Sequence, residues 1–104
     1  FTERDANAQM TLRRGFTIEP GERVVIAEDV VTTGKSTLEV ARVLEAAGAK
    51  VLAVASLIDR TGGQAALSFP NFALLPVTAA TYAPDDCPLC RAGIPVVKPG
   101  SRPE

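Results

Sequence analysis

Two short apolar segments, with a helical pattern between them, organise the middle of the chain. Residues 23–27 and 51–58 are runs rich in Val, Ile, Leu and Ala, which is the pattern of buried strands. The second run is almost continuously apolar, so we expect both of its faces to be covered. Residues 73–78 predict a further short strand. The order strand, helix, strand predicts a βαβ unit of a parallel sheet with a right-handed crossover.

The helix between the two runs is predicted to begin at Ser36, because Ser36 and Glu39 stand at capping-box spacing. Its apolar residues recur at three- and four-residue spacing on one face; they are Val40, Val43, Leu44 and Ala47. Gly48 follows as the residue that ends the helix. The pattern is that of an amphipathic helix with one buried face.

The flanks of this unit are polar at one end and proline-rich at the other. Few apolar residues occur in 1–20, and we interpret the stretch from Thr2 to Arg14 as a long loop or a weakly paired ribbon. Prolines recur from residue 82 onward, and we expect an irregular tail packed on the domain. We therefore divide the chain into 1–20, a βαβ core at 21–80 and a tail at 81–104. The first residue is Phe1 rather than Met, which suggests part of a longer protein.

Composition narrows the class of protein. A chain of 104 residues is one domain at most, and 46% hydrophobic with 22% charged residues is the balance of an ordinary globular protein. The apolar runs are too short to span a membrane, and the cytoplasm is the expected location. A net charge of −1 lacks the basic excess on which nucleic-acid binders depend. Without histidine, chemistry must use carboxylates, Arg, Lys, hydroxyls or a bound ion.

The first strand leads into the segment with the candidate chemistry. Glu28 and Asp29 follow its apolar residues, at the carboxyl end of a parallel strand, where ligands bind. Adjacent carboxylates suit sugar hydroxyls, a divalent cation or a developing positive charge. The next residues offer backbone N–H groups at a helix N-terminus, with Gly34 permitting the turn, and this arrangement binds phosphate. Hydroxyl donors are added by Thr32, Thr33 and Ser36.

A Walker A loop is the obvious rival, because Gly34, Lys35 and Ser36 match its ending. That motif requires a glycine five positions before Gly34, where this chain has Asp29, whose carboxylate would repel the β- and γ-phosphates. No dinucleotide fingerprint follows a strand either. The alternative without a binding function is a plain strand-to-helix turn whose two acids are solvated. The two acids and the hydroxyl-rich glycine loop together favour a ribose-phosphate site.

The segment from Val25 to Ser36 resembles the phosphoribosyl-diphosphate signature of the type I phosphoribosyltransferases. The resemblance implies an α/β fold, a parallel sheet with flanking helices, of which this chain would be the C-terminal part. It implies that Glu28 and Asp29 contact the ribose 2′- and 3′-hydroxyls and that Asp29 stabilises an oxocarbenium-like transition state. The residues that would wrap the 5′-phosphate are Val30, Val31, Thr32, Thr33, Gly34, Lys35 and Ser36.

Further segments, at 10–16, 57–60 and 87–102, are similar to orotate phosphoribosyltransferases. This similarity implies that Arg60 pairs with the carboxylate of orotate and that Thr32 touches the base; a guanidinium fork suits a carboxylate. It implies formation of orotidine 5′-monophosphate and diphosphate in de novo pyrimidine biosynthesis. It also implies Mg²⁺ held mainly through the diphosphate, and a homodimer with shared active sites. The alternatives are a purine phosphoribosyltransferase, which would not need Arg60, and a non-catalytic sensor of phosphoribosyl diphosphate.

The chain departs from this family in one region. The better-known branch has a mobile catalytic loop with lysines and a histidine, whereas the equivalent region here, Thr2 to Arg14, contains neither residue type. Arg4 stands where a loop lysine is expected, and Arg13 and Arg14 add charge. Arg4 is therefore the second catalytic candidate beside Asp29.

Cys87 and Cys90 are the only cysteines, and their spacing is that of a redox pair or of half a zinc site. Tetrahedral zinc needs four ligands, and the chain has no histidine and no second cysteine pair, so a site shared across a dimer stays open. Pro84 and Pro88 indicate a turn, which favours a plain structural pair.

Overall fold

A computed structural model of the chain describes residues 1–97; the end of the predicted tail, residues 98–104, lies outside this range. The strands are β1 Thr2–Arg4, β2 Met10–Leu12, β3 Arg23–Val31, β4 Lys50–Asp59 and β5 Asn71–Pro76. The helices are α1 Lys35–Ala46 and α2 Pro88–Arg91, and a 3₁₀ turn spans Pro84–Asp86. In residues 1–97 no helix is long and apolar enough to cross a membrane.

The sheet confirms the predicted parallel βαβ unit. Strands β3, β4 and β5 are parallel and adjacent in that order, and α1 connects β3 to β4. Val31 lies opposite Asp59, so β3 continues past its predicted end at Ala27 for as long as β4 offers it a partner. Strand β5 spans 71–76 rather than the predicted 73–78. Within residues 1–97, β3 pairs only with β4, and its other edge carries no strand.

Helix α1 packs on one face of this sheet. Val40 and Leu44 are buried as predicted, whereas Thr37 and Ala41 complete the buried face and the other predicted members are only half-buried. Each fully buried aliphatic side chain contributes about 1.5–3 kcal/mol. The core consists of Ile26, Val40, Ala41, Leu44, Ala49, Val51 and Val54.

The opposite face of the sheet is uncovered in the described residues. Val25 and Leu57 are each 56% exposed, Phe72 is 67% exposed and Leu74 is 81% exposed. The expectation that β4 is covered on both faces is therefore wrong for residues 1–97, because α1 lies on one side only.

The two flanks differ in how they pack. Strands β1 and β2 form an antiparallel ribbon with Glu3 opposite Thr11, which confirms the ribbon alternative for the N-terminal region. In the tail, the 3₁₀ turn and α2 contact each other, and Tyr82, Leu89 and Ile94 are more than half exposed. Up to residue 97 the tail thus does not show the expected packing on the domain.

Candidate functional site

The turn between β3 and α1 is built around Gly34. Its φ of 79° is left-handed, and a Cβ at this position would lie 2.7 Å from Cδ2 of Leu67. The carbonyl of Gly34 accepts a hydrogen bond from the Leu38 N–H (2.9 Å), so Gly34 is the N-cap of α1. The capping box predicted for Ser36 and Glu39 is wrong, because the helix begins before Ser36 and no side chain caps it.

This open helix N-terminus supplies donors for an anion. Thr33 Oγ1 accepts a hydrogen bond from the Lys35 N–H (3.3 Å), which fixes the turn. The N–H groups of Ser36 and Thr37 belong to the first helical turn, where the helix offers them no acceptor. The exposed polar side chains around them are Thr32, Thr33, Lys35 and Ser36. Oriented N–H groups, the helix dipole and these side chains together suit a phosphate dianion.

Glu28 and Asp29 lie within β3, not after it as predicted, because the strand continues to Val31. Consecutive strand residues face opposite sides of a sheet. Glu28 faces α1, where Oγ1 of Thr37 donates to its Oε1 (3.3 Å), whereas Asp29 is exposed and its Oδ1 accepts from the Val30 N–H (2.7 Å). In the described residues no hydrogen bond engages the second oxygen of either carboxylate.

The electrostatics of the two acids are coupled. Burial raises the pKa of Glu28 above its ordinary value; the Thr37 hydrogen bond opposes this shift, and the neighbouring Asp29 carboxylate adds to it. A hydroxyl donor or a positive charge bound beside Glu28 would lower that pKa again. Because the shift and the affinity are linked, such a group would also be bound more tightly. The site therefore favours ligands with hydroxyls or developing positive charge.

Arg60 reaches the same edge of the sheet through β4. Its N–H donates to the carbonyl of Val31 (2.8 Å), so it follows β4 where β3 ends. Asp59, only 1% exposed, accepts hydrogen bonds from Oγ1 and N–H of Thr61 (2.6 and 2.8 Å) and from Nδ2 of Asn71 (3.1 Å). The Thr61 bonds hold the pKa of Asp59 below its ordinary value. Asp59 thus fixes the turn on which the exposed Arg60 stands.

Sequence reasoning singled out Arg60 but missed the supporting role of Asp59. The signal was present, because an aspartate that ends an apolar run with a threonine two residues later is the pattern of an Asx turn.

Arg4 is placed apart from the acids. Strand β1 brings it beside α1, where its guanidinium pairs with Glu39 and donates to the carbonyl of Ala8 (2.7 Å). The structure therefore brings together Glu28, the loop and Arg60 at one end of the sheet, and holds Arg4 one helical turn further along α1.

A groove of about 600 Å³ follows the unpaired edge of β3 and reaches Glu28 and Asp29. Its far wall is apolar and includes Phe1, Leu12 and Phe16. Residues 32–36 do not line it. The acids therefore border both the groove and the strand end that leads into the phosphate loop.

The donor set of the acids fits Mg²⁺ only with help from a ligand. Carboxylate oxygens are ligands that Mg²⁺ prefers, and the ion usually keeps one or two of them together with phosphate oxygens. In residues 1–97 no group of three or more His, Cys, Asp or Glu side chains could hold a metal. Glu28 and Asp29 thus suit an ion that a phosphorylated substrate brings with it.

Comparison with known proteins gives this geometry a class. Residues 2–87 match the family described as the phosphoribosyl transferase domain, and the chain belongs to this family. A solved adenine phosphoribosyltransferase from Rhodothermus marinus is 38% identical with a TM-score of 0.52, covering 58% of this chain and 36% of that one. The UMP synthase of Leishmania donovani is 31% identical with a TM-score of 0.56, covering 70% and 16%. The predicted fold class is confirmed.

Curated relatives narrow the resemblance further. The orotate phosphoribosyltransferase of Carboxydothermus hydrogenoformans is 54% identical over 102 residues, which are 98% of this chain and 53% of that protein. The protein of the same name from Thermotoga maritima is 52% identical and covers 98% and 54%. The predicted resemblance to orotate phosphoribosyltransferases is thus confirmed. The chain spans about half the length of these relatives.

Proposed function

We propose that this chain carries the phosphoribosyl-diphosphate site of an orotate phosphoribosyltransferase. Such an enzyme transfers a phosphoribosyl group to orotate and gives orotidine 5′-monophosphate and diphosphate in de novo pyrimidine biosynthesis. The observation that carries the proposal is the strand with two carboxylates that runs into a glycine loop at an open helix N-terminus. The relatives that bear this enzyme's name support orotate as the acceptor.

The turn at residues 32–36 binds the 5′-phosphate, whereas Val30 and Val31, also predicted for this role, are the last two residues of β3. The first-turn N–H groups of α1 lack intrahelical acceptors, and the positive end of the helix dipole favours a dianion. Thr33 keeps the turn in shape through its bond to the Lys35 N–H, and the exposed Lys35 ammonium adds charge. The backbone thus does most of the phosphate recognition.

Glu28 and Asp29 bind the ribose. A second oxygen on each carboxylate accepts a hydroxyl hydrogen, and Asp29 stabilises the positive charge that develops as the bond to diphosphate breaks. Glu28 and Asp29 would adjoin a Mg²⁺ ion held mainly through the diphosphate, and that ion would supply neutralisation of the charge on the diphosphate. The two neighbouring carboxylate charges therefore stabilise the bound sugar electrostatically only when the sugar carries positive charge.

Arg60 and Thr32 hold the acceptor. Arg60 stands exposed on the turn that Asp59 fixes, next to the end of β3, and its planar guanidinium matches a carboxylate with two parallel hydrogen bonds. Little acid–base chemistry is needed, because N1 of orotate is readily made anionic. The absence of histidine from the sequence is therefore compatible with this reaction.

Arg4 acts on the diphosphate from a second subunit. Within its own chain Arg4 pairs with Glu39, and a homodimer with shared active sites would give it a target in the neighbouring subunit. In this proposal residues 1–20 form the mobile catalytic loop, 21–80 the core with the phosphate loop and 81–104 the tail. The setting is the cytoplasm.

The direct test is an assay for orotidine 5′-monophosphate with the natural protein that contains this chain, phosphoribosyl diphosphate and Mg²⁺. The proposal expects turnover with orotate and none with adenine or guanine. Turnover with a purine alone would assign the chain to the purine enzymes, an alternative favoured by the likeness to the adenine phosphoribosyltransferase. Tight binding of phosphoribosyl diphosphate without turnover on any base would instead indicate a sensor.

The substitution Arg60→Ala tests binding of the acceptor, orotate, separately from binding of the donor, phosphoribosyl diphosphate. We expect the KM for orotate to rise at least about tenfold, since a charge-assisted bidentate pair is lost. The Kd for phosphoribosyl diphosphate should change less than about twofold, because Arg60 does not belong to the phosphate loop. Arg42→Ala, on the exposed side of α1, is the matched control and should change neither value. Equal losses for both substrates would refute the role of Arg60.

A further inference from the structure

A pair of thiols lies outside the proposed site. Cys87 directly precedes α2 and is half-buried, whereas Cys90 lies within α2 and is exposed; neither forms a disulfide. The Arg91 N–H donates to the carbonyl of Cys87 (3.0 Å), which closes one helical turn across the pair. In such a turn Cα atoms three residues apart are about 5 Å from each other, a separation that a disulfide spans without backbone movement.

The turn makes the two sulfurs unequal. Hydrogen bonding from Cys90 and Leu89 lowers the pKa of Cys87 below its ordinary value. The same contact raises the pKa of Cys90. The Cys87 thiol is therefore the better nucleophile, and Cys90 follows it by three residues in the same helical turn.

Two other roles fit the surroundings of this pair less well. A structural pair would be packed in a core, but α2 contacts the adjoining 3₁₀ turn, and Leu89 between the cysteines is 56% exposed. A metal site within residues 1–97 lacks further ligands, because no cluster of three candidate side chains exists there and Asp86 is paired with Arg91. The accessibility of the pair and its spacing across one helical turn instead favour chemistry at the thiols themselves.

We propose that Cys87 and Cys90 are a dithiol that exchanges with small disulfides of the glutathione class and closes into an intrachain disulfide. The Cys87 thiolate attacks one sulfur of oxidised glutathione, whose S–S bond breaks and releases one glutathione thiolate. Cys90 then loses its proton to solvent, attacks the sulfur of Cys87 and displaces the second glutathione. The protein pair is oxidised by two electrons, and the glutathione disulfide is reduced by two. This exchange is independent of the transfer reaction.

The test is to incubate the reduced chain with oxidised glutathione at pH 7, to quench with acid and to measure intact mass after alkylation. The wild-type chain should lose two hydrogens, keep no glutathione and resist alkylation until a dithiol reductant is added. Cys90→Ser should retain one glutathionyl group, because the second step is missing. Cys87→Ser should react at least about threefold more slowly than Cys90→Ser, since its thiolate lacks the hydrogen bonds of the turn.

Several results would overturn this inference. They are a stable glutathionyl adduct on the wild-type chain, equal rates for Cys87→Ser and Cys90→Ser, or no reaction under conditions that oxidise a small dithiol. Zinc bound at one ion per two chains, with exchange blocked until it is chelated, would show a shared metal site instead. Far-UV circular dichroism of each variant, compared with the wild-type chain, confirms that the measured rates belong to folded protein.

Discussion

Replacing Gly34 with alanine perturbs the phosphate loop at its tightest point. An L-residue with a φ of 79° loses roughly 1–2 kcal/mol relative to glycine. The new Cβ would also lie 2.7 Å from Cδ2 of Leu67, so that side chain must leave its rotamer, at a cost of about 0.5–1.5 kcal/mol. The expected loss in the free energy of unfolding is about 1.5–3.5 kcal/mol.

Gly21→Ala is the matched control for this experiment. Gly21 has a φ of 80°, and an added Cβ there would meet no atom within 4 Å, so only the backbone term of about 1–2 kcal/mol applies. Urea denaturation followed by circular dichroism gives both losses on the same scale. Leu67 packs against the core, so Leu67→Ala alone is the reference for a double variant. In that background Gly34→Ala should cost only the backbone term, because the atom that the new Cβ meets is gone.

The same two variants connect the loop to binding. Gly34→Ala should weaken the affinity for ribose 5-phosphate at least about tenfold, since the first N–H groups of α1 shift with the turn. Gly21→Ala should leave that affinity unchanged, because Gly21 lies at the other end of β3. Equal losses of stability in the two variants, or an unchanged affinity in Gly34→Ala, would refute the assigned geometry.

Two further predictions concern the half-buried Glu28 and the buried Asp59. Glu28 has a raised pKa, so its charge disfavours the folded state as the pH rises. Glu28→Gln should therefore raise Tm at pH 7, and this gain should vanish below about pH 4.5. The same variant should bind ribose 5-phosphate more weakly. Asp59 has a lowered pKa, so its charge stabilises the folded state at pH values above 3.8, the ordinary pKa of an aspartate. Asp59→Asn should therefore lower Tm at pH 7, and this loss should shrink as the pH falls below 3.8. Thermal melts from pH 3 to 7, with Asp85→Asn as an exposed control, check both; a pH-independent difference would contradict the assignment.

The βαβ core was predictable because buried apolar residues recur in the sequence with the period of the helix or strand that contains them. Ile26, Val40 and Val54 all lie where the apolar pattern places them, between one face of the sheet and one face of α1. The uncovered opposite face could not be predicted, since a continuously apolar strand looks the same whether one or both of its faces are covered. Pattern alone identifies the strand and not its neighbours.

The position of the candidate site along the chain was predictable from its motif, whereas its local geometry was not. Glu28 and Asp29 were placed after the strand, because acids interrupt the apolar run, yet pairing with β4 carries the strand to Val31. The helix start was misplaced because Ser36 fits a capping box, whereas the left-handed Gly34 forms the cap. Both differences come from the backbone conformation, which is difficult to infer from the order of residue types.

The central claim is that the segment from Val25 to Ser36 binds a ribose 5-phosphate. The most direct test is a ¹⁵N–¹H NMR titration of the isotope-labelled chain with ribose 5-phosphate, with ATP as the comparison ligand. We predict saturable shifts of the amides of Gly34, Lys35 and Ser36, absent in Gly34→Ala, with no shifts in α2 and weaker ones with ATP. Shifts confined to other parts of the chain, or a stronger response of the loop to ATP, would contradict the claim.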